Sequence, residues 1–229
     1  MKTPLIPFSR GAVVRVLPFA LFMVLLALRG AAPEDGSWGF DPRWVYAVTV
    51  IVVGAVLAVC WREYGELAWQ NRPDARQLGL AVAVGLGVFA LWIQLDAPWM
   101  RLGEPAAGFV PLDASGRLQW ELVAFRLVGA ALLVPVMEEL FWRSFLMRWL
   151  QDPTFEGVSP RAVGVRAIVA STFVFVLAHT LWLAAAIAGL AYALLYVRTG
   201  RLWVPVIAHA VTNAALGVWV LATGRWAFW

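Results

Sequence analysis

The stretch Leu118–Leu150, LQWELVAFRLVGAALLVPVMEELFWRSFLMRWL, decides how this chain folds. Most of its residues are apolar, yet Glu138, Glu139 and Arg143 lie in its second half. A membrane-spanning helix needs about 20 mostly apolar residues, so this run is too long for one straight span. We predict that Pro135 kinks it, because proline removes a helical hydrogen bond. The stretch therefore predicts a membrane helix that carries charged side chains into the bilayer.

The composition of the whole chain predicts an all-α fold, a polytopic transmembrane helical bundle. Of its 229 residues, 62% are hydrophobic and 14% are charged. Soluble domains are nearer half apolar and about a quarter charged. We expect about three N-terminal spans in residues 1–117 and a membrane core in residues 118–229. The apolar runs give seven spans, or eight if the fourth is split: Ala12–Leu28, Trp44–Trp61, Leu78–Leu95, Leu118–Leu150, Ala167–Trp182, Leu183–Val197 and Trp203–Thr223.

The positive charges predict how the bundle is oriented. Ten arginines and lysines fall in the loops on the side of the N-terminus and five on the other side, which favours a cytoplasmic N-terminus. Because the arginines are scattered at the ends of apolar runs rather than gathered on one face, a nucleic-acid partner is not expected. The first run could instead be a signal peptide, but RGAAPEDG after it has no clear cleavage site, so we count it as a span.

Polar side chains from three predicted spans reach a similar depth. At about 1.5 Å of rise per residue, Glu138 and His179 lie about 18–20 Å from the cytoplasmic end of their helices, and His209 and Asn213 lie about 12–18 Å from theirs. A charged residue at mid-membrane costs about 2.5–3.5 kcal/mol on insertion scales, so such residues usually face the bundle interior and mark a site. We therefore expect an intramembrane site, with access from the cytoplasmic half of the membrane.

The two adjacent glutamates are expected to have different roles. Glu139 and Arg143 are four residues apart, so they share a helix face and can pair. Glu138 is rotated by about 100° from Glu139 and points elsewhere. This spacing predicts that Arg143 neutralises Glu139 and leaves Glu138 for the site.

The same spacing of four predicts contacts on two other helices, between Phe175 and His179 and between His209 and Asn213. A buried glutamate such as Glu138 can act as a general base toward water, and a neighbouring histidine can help to hold that water. A histidine and an asparagine can donate hydrogen bonds to an oxyanion. The set is therefore suited to amide hydrolysis without a nucleophilic side chain.

Three other readings stay open at this point. Glu138, His179 and His209 could hold a metal ion as a two-histidine, one-carboxylate set. The same residues could form the proton relay of a transporter, although inverted repeats with broken helices are not visible. The chain could also be a non-catalytic membrane partner. We favour a hydrolase that needs no cofactor and no metal, since the sequence has no H-E-x-x-H motif and only one cysteine, Cys60.

The polar residues resemble the motifs of the CAAX protease and bacteriocin-processing family of intramembrane glutamate endopeptidases. The family's motifs are E-E-x-x-x-R, F-x-x-x-H and H-x-x-x-N, and the resemblance covers about Leu118 to Leu221. It implies that Glu138 and His179 activate water and that His209 and Asn213 form the oxyanion site. Glu139, Arg143 and Phe175 would support them. The matching residues are Glu138-Glu139-Leu-Phe-Trp-Arg143, Phe175-Val-Leu-Ala-His179 and His209-Ala-Val-Thr-Asn213.

One departure from the family pattern bears on the substrate. The family often has glycine after the motif arginine, whereas Ser144 follows Arg143 here. The stretch FWRSFLMRWL resembles the exosortase-associated CAAX prenyl protease-related subgroup of Gram-negative bacteria. This resemblance implies an integral protein of the bacterial inner membrane that cuts a membrane-anchored or exported protein, with an exosortase system as partner. A prenylated CAAX tail is not an expected substrate in such a cell.

Overall fold

The computed structural model describes residues 9–33, 37, 39–103 and 108–229, and every named regular element in these ranges is helical. The all-α prediction is confirmed. Five of the apolar helices are long enough to cross a membrane, and α2 and α5 are shorter, so the number of spans stays a prediction. The apolar helices are α1 Arg10–Ala31, α2 Trp44–Val59, α3 Ala75–Trp92, α4 Trp120–Gln151, α5 Val165–Leu177, α6 Trp182–Thr199 and α7 Trp203–Thr223.

Capping residues explain where several helices begin and end. Ser9 accepts a hydrogen bond from the backbone of Ala12 at the start of α1, and Asp74 and Gln77 form a capping box at the start of α3. Helix α6 ends at Gly200, whose φ of +70° suits a left-handed C-cap. Single turns of 3₁₀-helix lie between the long helices and after α7, at Trp61–Glu63, Gly65–Leu67, Trp69–Asn71, Pro98–Met100, Phe155–Gly157, Pro160–Ala162 and Trp226–Phe228.

Helix α4 is continuous but irregular, and its irregularity lies around the two glutamates. A central α-helical segment, Val134–Glu139, is flanked by π-helical segments at Gly129–Leu133 and Leu140–Met147. The first π segment ends immediately before Val134 and Pro135, where the missing N–H of proline disrupts the regular hydrogen-bond ladder. Single π turns inside helices are rare and are frequently found at functional sites.

Two close helix contacts hold α4 and α7 in the bundle. Phe19 of α1 stacks on Phe141 of α4, with ring centroids 4.1 Å apart. Gly85 brings α3 against α7, because a Cβ at this position would lie only 2.4 Å from the carbonyl oxygen of Ala208. Thr212 of α7 also donates a hydrogen bond of 2.8 Å to the carbonyl of Gly85. The N-terminal helices therefore pack directly on the two helices that carry Glu138 and His209.

Candidate functional site

Glu139 forms the buried centre of the polar site. Its side chain is fully buried, and Oε2 lies 3.1 Å from Nε of Arg143, which confirms the predicted ion pair. Oε2 of Glu139 has no hydrogen-bond partner, because the Nε–H of Arg143 is not aligned with it, so this contact is mainly electrostatic. Oε1 of Glu139 lies 3.0 Å from Nδ1 of His209. Because a carboxylate can only accept, Nδ1 is the donor and Nε2 is left free of this contact.

Aromatic rings surround the guanidinium of Arg143. Its central carbon lies 4.9 Å from the ring centre of Phe175 and 5.5 Å from that of Tyr192. One terminal nitrogen donates a 3.3 Å hydrogen bond to the carbonyl of Gly189 in α6. Arg143 therefore connects α4 with α5 and α6 while it neutralises Glu139. Cation–π contacts of this kind are strongest where water is excluded.

His179 lies immediately beyond the end of α5 rather than inside a longer helix. The predicted run Ala167–Trp182 contains a turn, because the helix ends at Leu177 and α6 begins at Trp182. Nδ1 of His179 donates a 2.8 Å hydrogen bond to the carbonyl of Phe175, so Nε2 is the acceptor nitrogen. The two rings lie 4.3 Å apart, which confirms the predicted packing of Phe175 beside this imidazole.

Glu138 differs from Glu139 in its surroundings. It is 9% exposed, and among the described residues it forms no ion pair. Its Oε2 is buried and has no hydrogen-bond partner. Glu138 is close enough to His179 for a direct electrostatic interaction, as is His209. A buried carboxylate with an unpartnered oxygen, next to an acceptor imidazole, is the arrangement that could position and deprotonate a water molecule.

Asn213 already uses one of its amide N–H groups. Nδ2 donates a 2.8 Å hydrogen bond to the carbonyl of Ala130 in α4. The helix leaves that carbonyl without a donor, because the N–H of Val134 bonds to Gly129 and Pro135 has none. Proline in α4 therefore creates the acceptor that holds Asn213. The sequence predicted Asn213 beside the oxyanion, but did not predict this contact.

Tyr192 and Thr212 belong to the same polar set and were not predicted from the sequence. Tyr192 stacks on His209, with ring centroids 5.0 Å apart and planes inclined by 20°. Its hydroxyl donates a 2.7 Å hydrogen bond to Oγ1 of Thr212. A tyrosine in an apolar helix gives no signal of such a role, and Thr212 belongs to none of the spacings that the sequence analysis used.

A cavity of about 200 Å³ lies next to His179. Its lining includes Trp92 at the end of α3, Asp96 and Arg101 in the connection that follows, and Trp229 beyond α7. These residues lie at the end of the bundle that the arginine count assigns to the outside. The cavity therefore lies at the opposite end of the bundle from the predicted cytoplasmic access, where α5 ends at Leu177 and His179 follows it.

A second charged cluster, Arg15–Glu66–Ser144–Arg148, joins α1 and the α2–α3 connection to α4. Arg15 donates hydrogen bonds to Glu66 at 2.7 and 2.9 Å and to Ser144 at 2.9 Å. The hydroxyl of Ser144 also donates to Glu66, and Arg148 donates to Ser144. Burial alone would raise the pKa of the Glu66 carboxyl, but the hydrogen bonds and charge of Arg15 outweigh it and the pKa is lowered. Ser144 is therefore hydrogen-bonded to Arg15, Glu66 and Arg148, and its role in this cluster is structural.

Glu138, His179 and His209 are the residues that the metal-binding interpretation would require. Among the residues that the structure describes, no group of three or more histidine, cysteine, aspartate or glutamate side chains could hold a metal ion. Glu139 accepts from Nδ1 of His209, which leaves Nε2 as the nitrogen of this histidine that a metal could use.

Residues 120–215 match the family model described as Type II CAAX prenyl endopeptidase Rce1-like. The match begins at the first residue of α4 and ends just after Asn213, so it contains every site residue that the sequence predicted. It supports the resemblance to CAAX endopeptidases, which are hydrolases. No curated protein and no solved structure matches the chain.

Proposed function

We propose that this chain is an intramembrane endopeptidase of the glutamate type. Its substrate would be a membrane-anchored or exported protein, and its place the bacterial inner membrane with the N-terminus in the cytoplasm. The observation that carries the proposal is the contrast between the two glutamates. Glu139 is occupied by Arg143 and His209, whereas Glu138 has a buried, unpartnered oxygen within electrostatic range of His179.

Glu138 is the general base in this proposal. It removes a proton from a water molecule that also donates to Nε2 of His179, the nitrogen left free by the bond to Phe175. The hydroxide attacks the carbonyl carbon of the scissile peptide bond. The proton held by Glu138 then passes to the amide nitrogen as the C–N bond breaks, so the products are a carboxylic acid and an amine.

His209 and Asn213 stabilise the negative charge that develops on the carbonyl oxygen. Asn213 retains one amide N–H that Ala130 does not use, and the bond to Ala130 fixes where the amide lies. His209 donates to this oxygen through Nε2, so it must carry a proton on both ring nitrogens, since Nδ1 already donates to Glu139. One oxyanion donor is typically worth about 10²–10³-fold in rate.

The substrate class follows from the resemblance rather than from a contact. The departure at Ser144 favours the exosortase-associated subgroup, so the proposed partner is a sorting system for C-terminally tagged exported proteins. A prenylated tail is not part of the proposal. The N-terminal spans of residues 1–117 would serve as a scaffold for the catalytic core in residues 118–229.

The test is a comparison of peptide ends in membrane and exported proteins. Three strains are compared: wild type, Glu138→Gln, and Glu121→Gln as a matched control on the same helix, where the carboxylate is exposed. We expect at least one peptide bond to be cut in the wild-type and Glu121→Gln strains and to stay intact in the Glu138→Gln strain. Equal cleavage patterns in all three strains, with equal amounts of the protein, would refute the proposal.

A further inference from the structure

Two arginines and three aromatic rings meet at the end of the bundle that faces outward by the arginine count. Arg29 is in the last turn of α1, and Arg126 is in the second turn of α4. The central carbon of Arg126 lies 4.6 Å from the ring centre of Tyr46 and 5.7 Å from that of Phe109, and Arg29 lies 5.1 Å from Phe109. Trp229 closes the cluster at 6.0 Å from Arg126.

This arginine–aromatic cluster contains buried polar groups that lack acceptors. The hydroxyl of Tyr46, Nε of Arg126 and Nε1 of Trp229 are buried and have no hydrogen-bond partner. Most buried donors in proteins are satisfied, and each exception needs a physical reason. Three unsatisfied groups around one guanidinium indicate that the missing partner is a single acceptor-rich group rather than three separate ones.

The charges indicate the same kind of partner. Arg29 and Arg126 are close enough to repel each other. In the part of the chain that the structure describes, no carboxylate lies within ion-pair distance of either guanidinium. Two arginines that only snorkel toward water would have no reason to pack against the same ring, that of Phe109. An oxyanion between them would remove the repulsion and accept from the buried donors.

We propose that the arginine–aromatic cluster is a binding site for a phosphate group. Arginine forks match phosphate oxygens, and such charge-assisted hydrogen bonds are short and strong. The phosphate could belong to a phospholipid headgroup or be free in solution, and both present the same oxygens. The cluster joins the ends of α1, α2 and α4, so a bound phosphate would cross-link three helices at the membrane surface.

The site is also adjacent to the irregular part of α4. Gly129, the first residue of the π segment, lies against Tyr46, because a Cβ at Gly129 would be 2.5 Å from the tyrosine hydroxyl. The next residue, Ala130, holds Asn213. The phosphate site and the candidate catalytic site therefore share one helical segment, although the proposal of phosphate binding does not depend on catalysis.

The experiment measures binding by purified protein in a neutral detergent. One arm follows the melting temperature with inorganic phosphate, against sodium chloride at the same ionic strength. The other arm counts phospholipid molecules retained by the protein in native mass spectrometry. The variants are Arg29→Gln, Arg126→Gln and Tyr46→Phe. The matched control is Arg117→Gln, since Arg117 is on the same predicted side but is exposed and paired with Asp113.

We expect wild type and Arg117→Gln to bind alike, and Arg29→Gln and Arg126→Gln to bind at least about tenfold more weakly, since each loses a charge-assisted hydrogen bond. Loss in the phosphate arm would identify a free anion, and loss in the lipid arm a headgroup. Because each arginine substitution removes a repulsion, these variants should remain folded without phosphate. Should Arg126→Gln nonetheless unfold, Tyr46→Phe must show several-fold weaker binding. Equal behaviour of wild type and all variants in both arms would overturn the proposal.

Discussion

Oε1 of Glu139 accepts a hydrogen bond of 3.0 Å from Nδ1 of His209, which joins α4 to α7 at the centre of the bundle. The same carboxylate forms the ion pair with Arg143. Glu139 therefore orients the imidazole of His209 and neutralises the charge of Arg143. A carboxylate with two such partners is poorly placed to exchange protons with water, so Glu138 is the general base that we propose.

Replacing Glu138 with glutamine should remove cleavage without affecting the fold. Glutamine keeps the size of the side chain, and Glu138 forms no ion pair with the described residues. A general base is typically worth about 10²–10⁴-fold in rate. We expect a loss of that order, with a melting temperature within about 1–2 °C of wild type, since no large stabilising contact is removed. A strongly destabilised Glu138→Gln protein would show that the two glutamates have the opposite roles.

Replacing Glu139 with glutamine should lower both stability and activity. Arg143 would stay buried without its anion, and breaking a buried ion pair from one side costs about 3–5 kcal/mol. The double variant Glu139→Gln with Arg143→Met should regain much of this stability, because the unpaired charge is gone. A double-mutant cycle on the free energy of unfolding measures the coupling. Additive effects of the two substitutions would contradict the ion pair's role.

The activity of the double variant distinguishes the effect of Glu139 on the stability of the fold from its effect on the orientation of His209. Even when folded, it lacks the carboxylate that accepts from Nδ1 of His209, so we expect cleavage to stay low. Recovery of cleavage together with stability would mean that Glu139 serves only to neutralise Arg143.

Glu66 should make stability depend on pH in the acid range. Its pKa is lowered in the folded protein, so its contribution is present above the ordinary carboxyl pKa of 4.5 and is lost as the pH falls through the lowered value. We expect Glu66→Gln to cost about 2 kcal/mol near neutral pH, less than a fully buried pair because the side chain keeps 16% exposure. The difference from wild type should shrink below pH 4.5.

Glu63→Gln is the control for this experiment. Glu63 also pairs with an arginine, but Arg10 is 82% exposed, and such surface pairs contribute little to stability. Melting temperatures of wild type and the two variants across the pH range test the prediction. A Glu66→Gln protein as stable as Glu63→Gln at neutral pH would show that the Arg15–Glu66–Ser144–Arg148 cluster does not stabilise the fold.

Activity should survive the removal of metal ions. The polar set offers a complete route for water activation through the unpartnered carboxylate oxygen of Glu138 and Nε2 of His179. Purified protein treated exhaustively with chelator should retain its cleavage rate. A loss that zinc or cobalt restores would return the two-histidine, one-carboxylate site to consideration.

The cavity beside His179 should be open to the outer side of the membrane. Thr180 is exposed, lines this cavity and is next to the imidazole. In a Cys60→Ser background, Thr180→Cys should react with a membrane-impermeant thiol reagent added from outside. Ser9→Cys, on the predicted cytoplasmic side, is the matched control and should react only after the membrane is opened. The reverse pattern would invert the topology derived from the arginine count.

Patterns within one helix were predictable from the sequence. The pairing of Glu139 with Arg143 and the packing of Phe175 on His179 both follow from the spacing of four residues, and both are present. The all-helical bundle follows from the apolar runs. The division of the chain at Leu118, the number of spans and the catalytic roles stay predictions.

Contacts between helices were not predictable in the same way. The bonds from Glu139 to His209 and from Asn213 to Ala130 depend on how α4 and α7 are rotated against each other, and spacing along one chain does not contain that rotation. Ser144 was noticed only as a departure from a motif. Its bond to Arg15 spans 129 positions of the chain, a separation at which local periodicity carries no information.

The two π-helical segments around Val134–Glu139 place a constraint on the length of α4 as well as on its composition. A π turn holds one residue more than the α-helical turn that it replaces. Deleting one residue of Gly129–Leu133 would therefore restore the regular ladder and leave the later part of α4 facing as before, whereas deleting two would rotate that part by about 100° relative to the preceding part. With two residues deleted, Glu139 would still reach Arg143, since both would turn together, but it would turn away from His209. Point substitutions would not reveal this requirement, whereas a scan of single-residue deletions and insertions along α4 would.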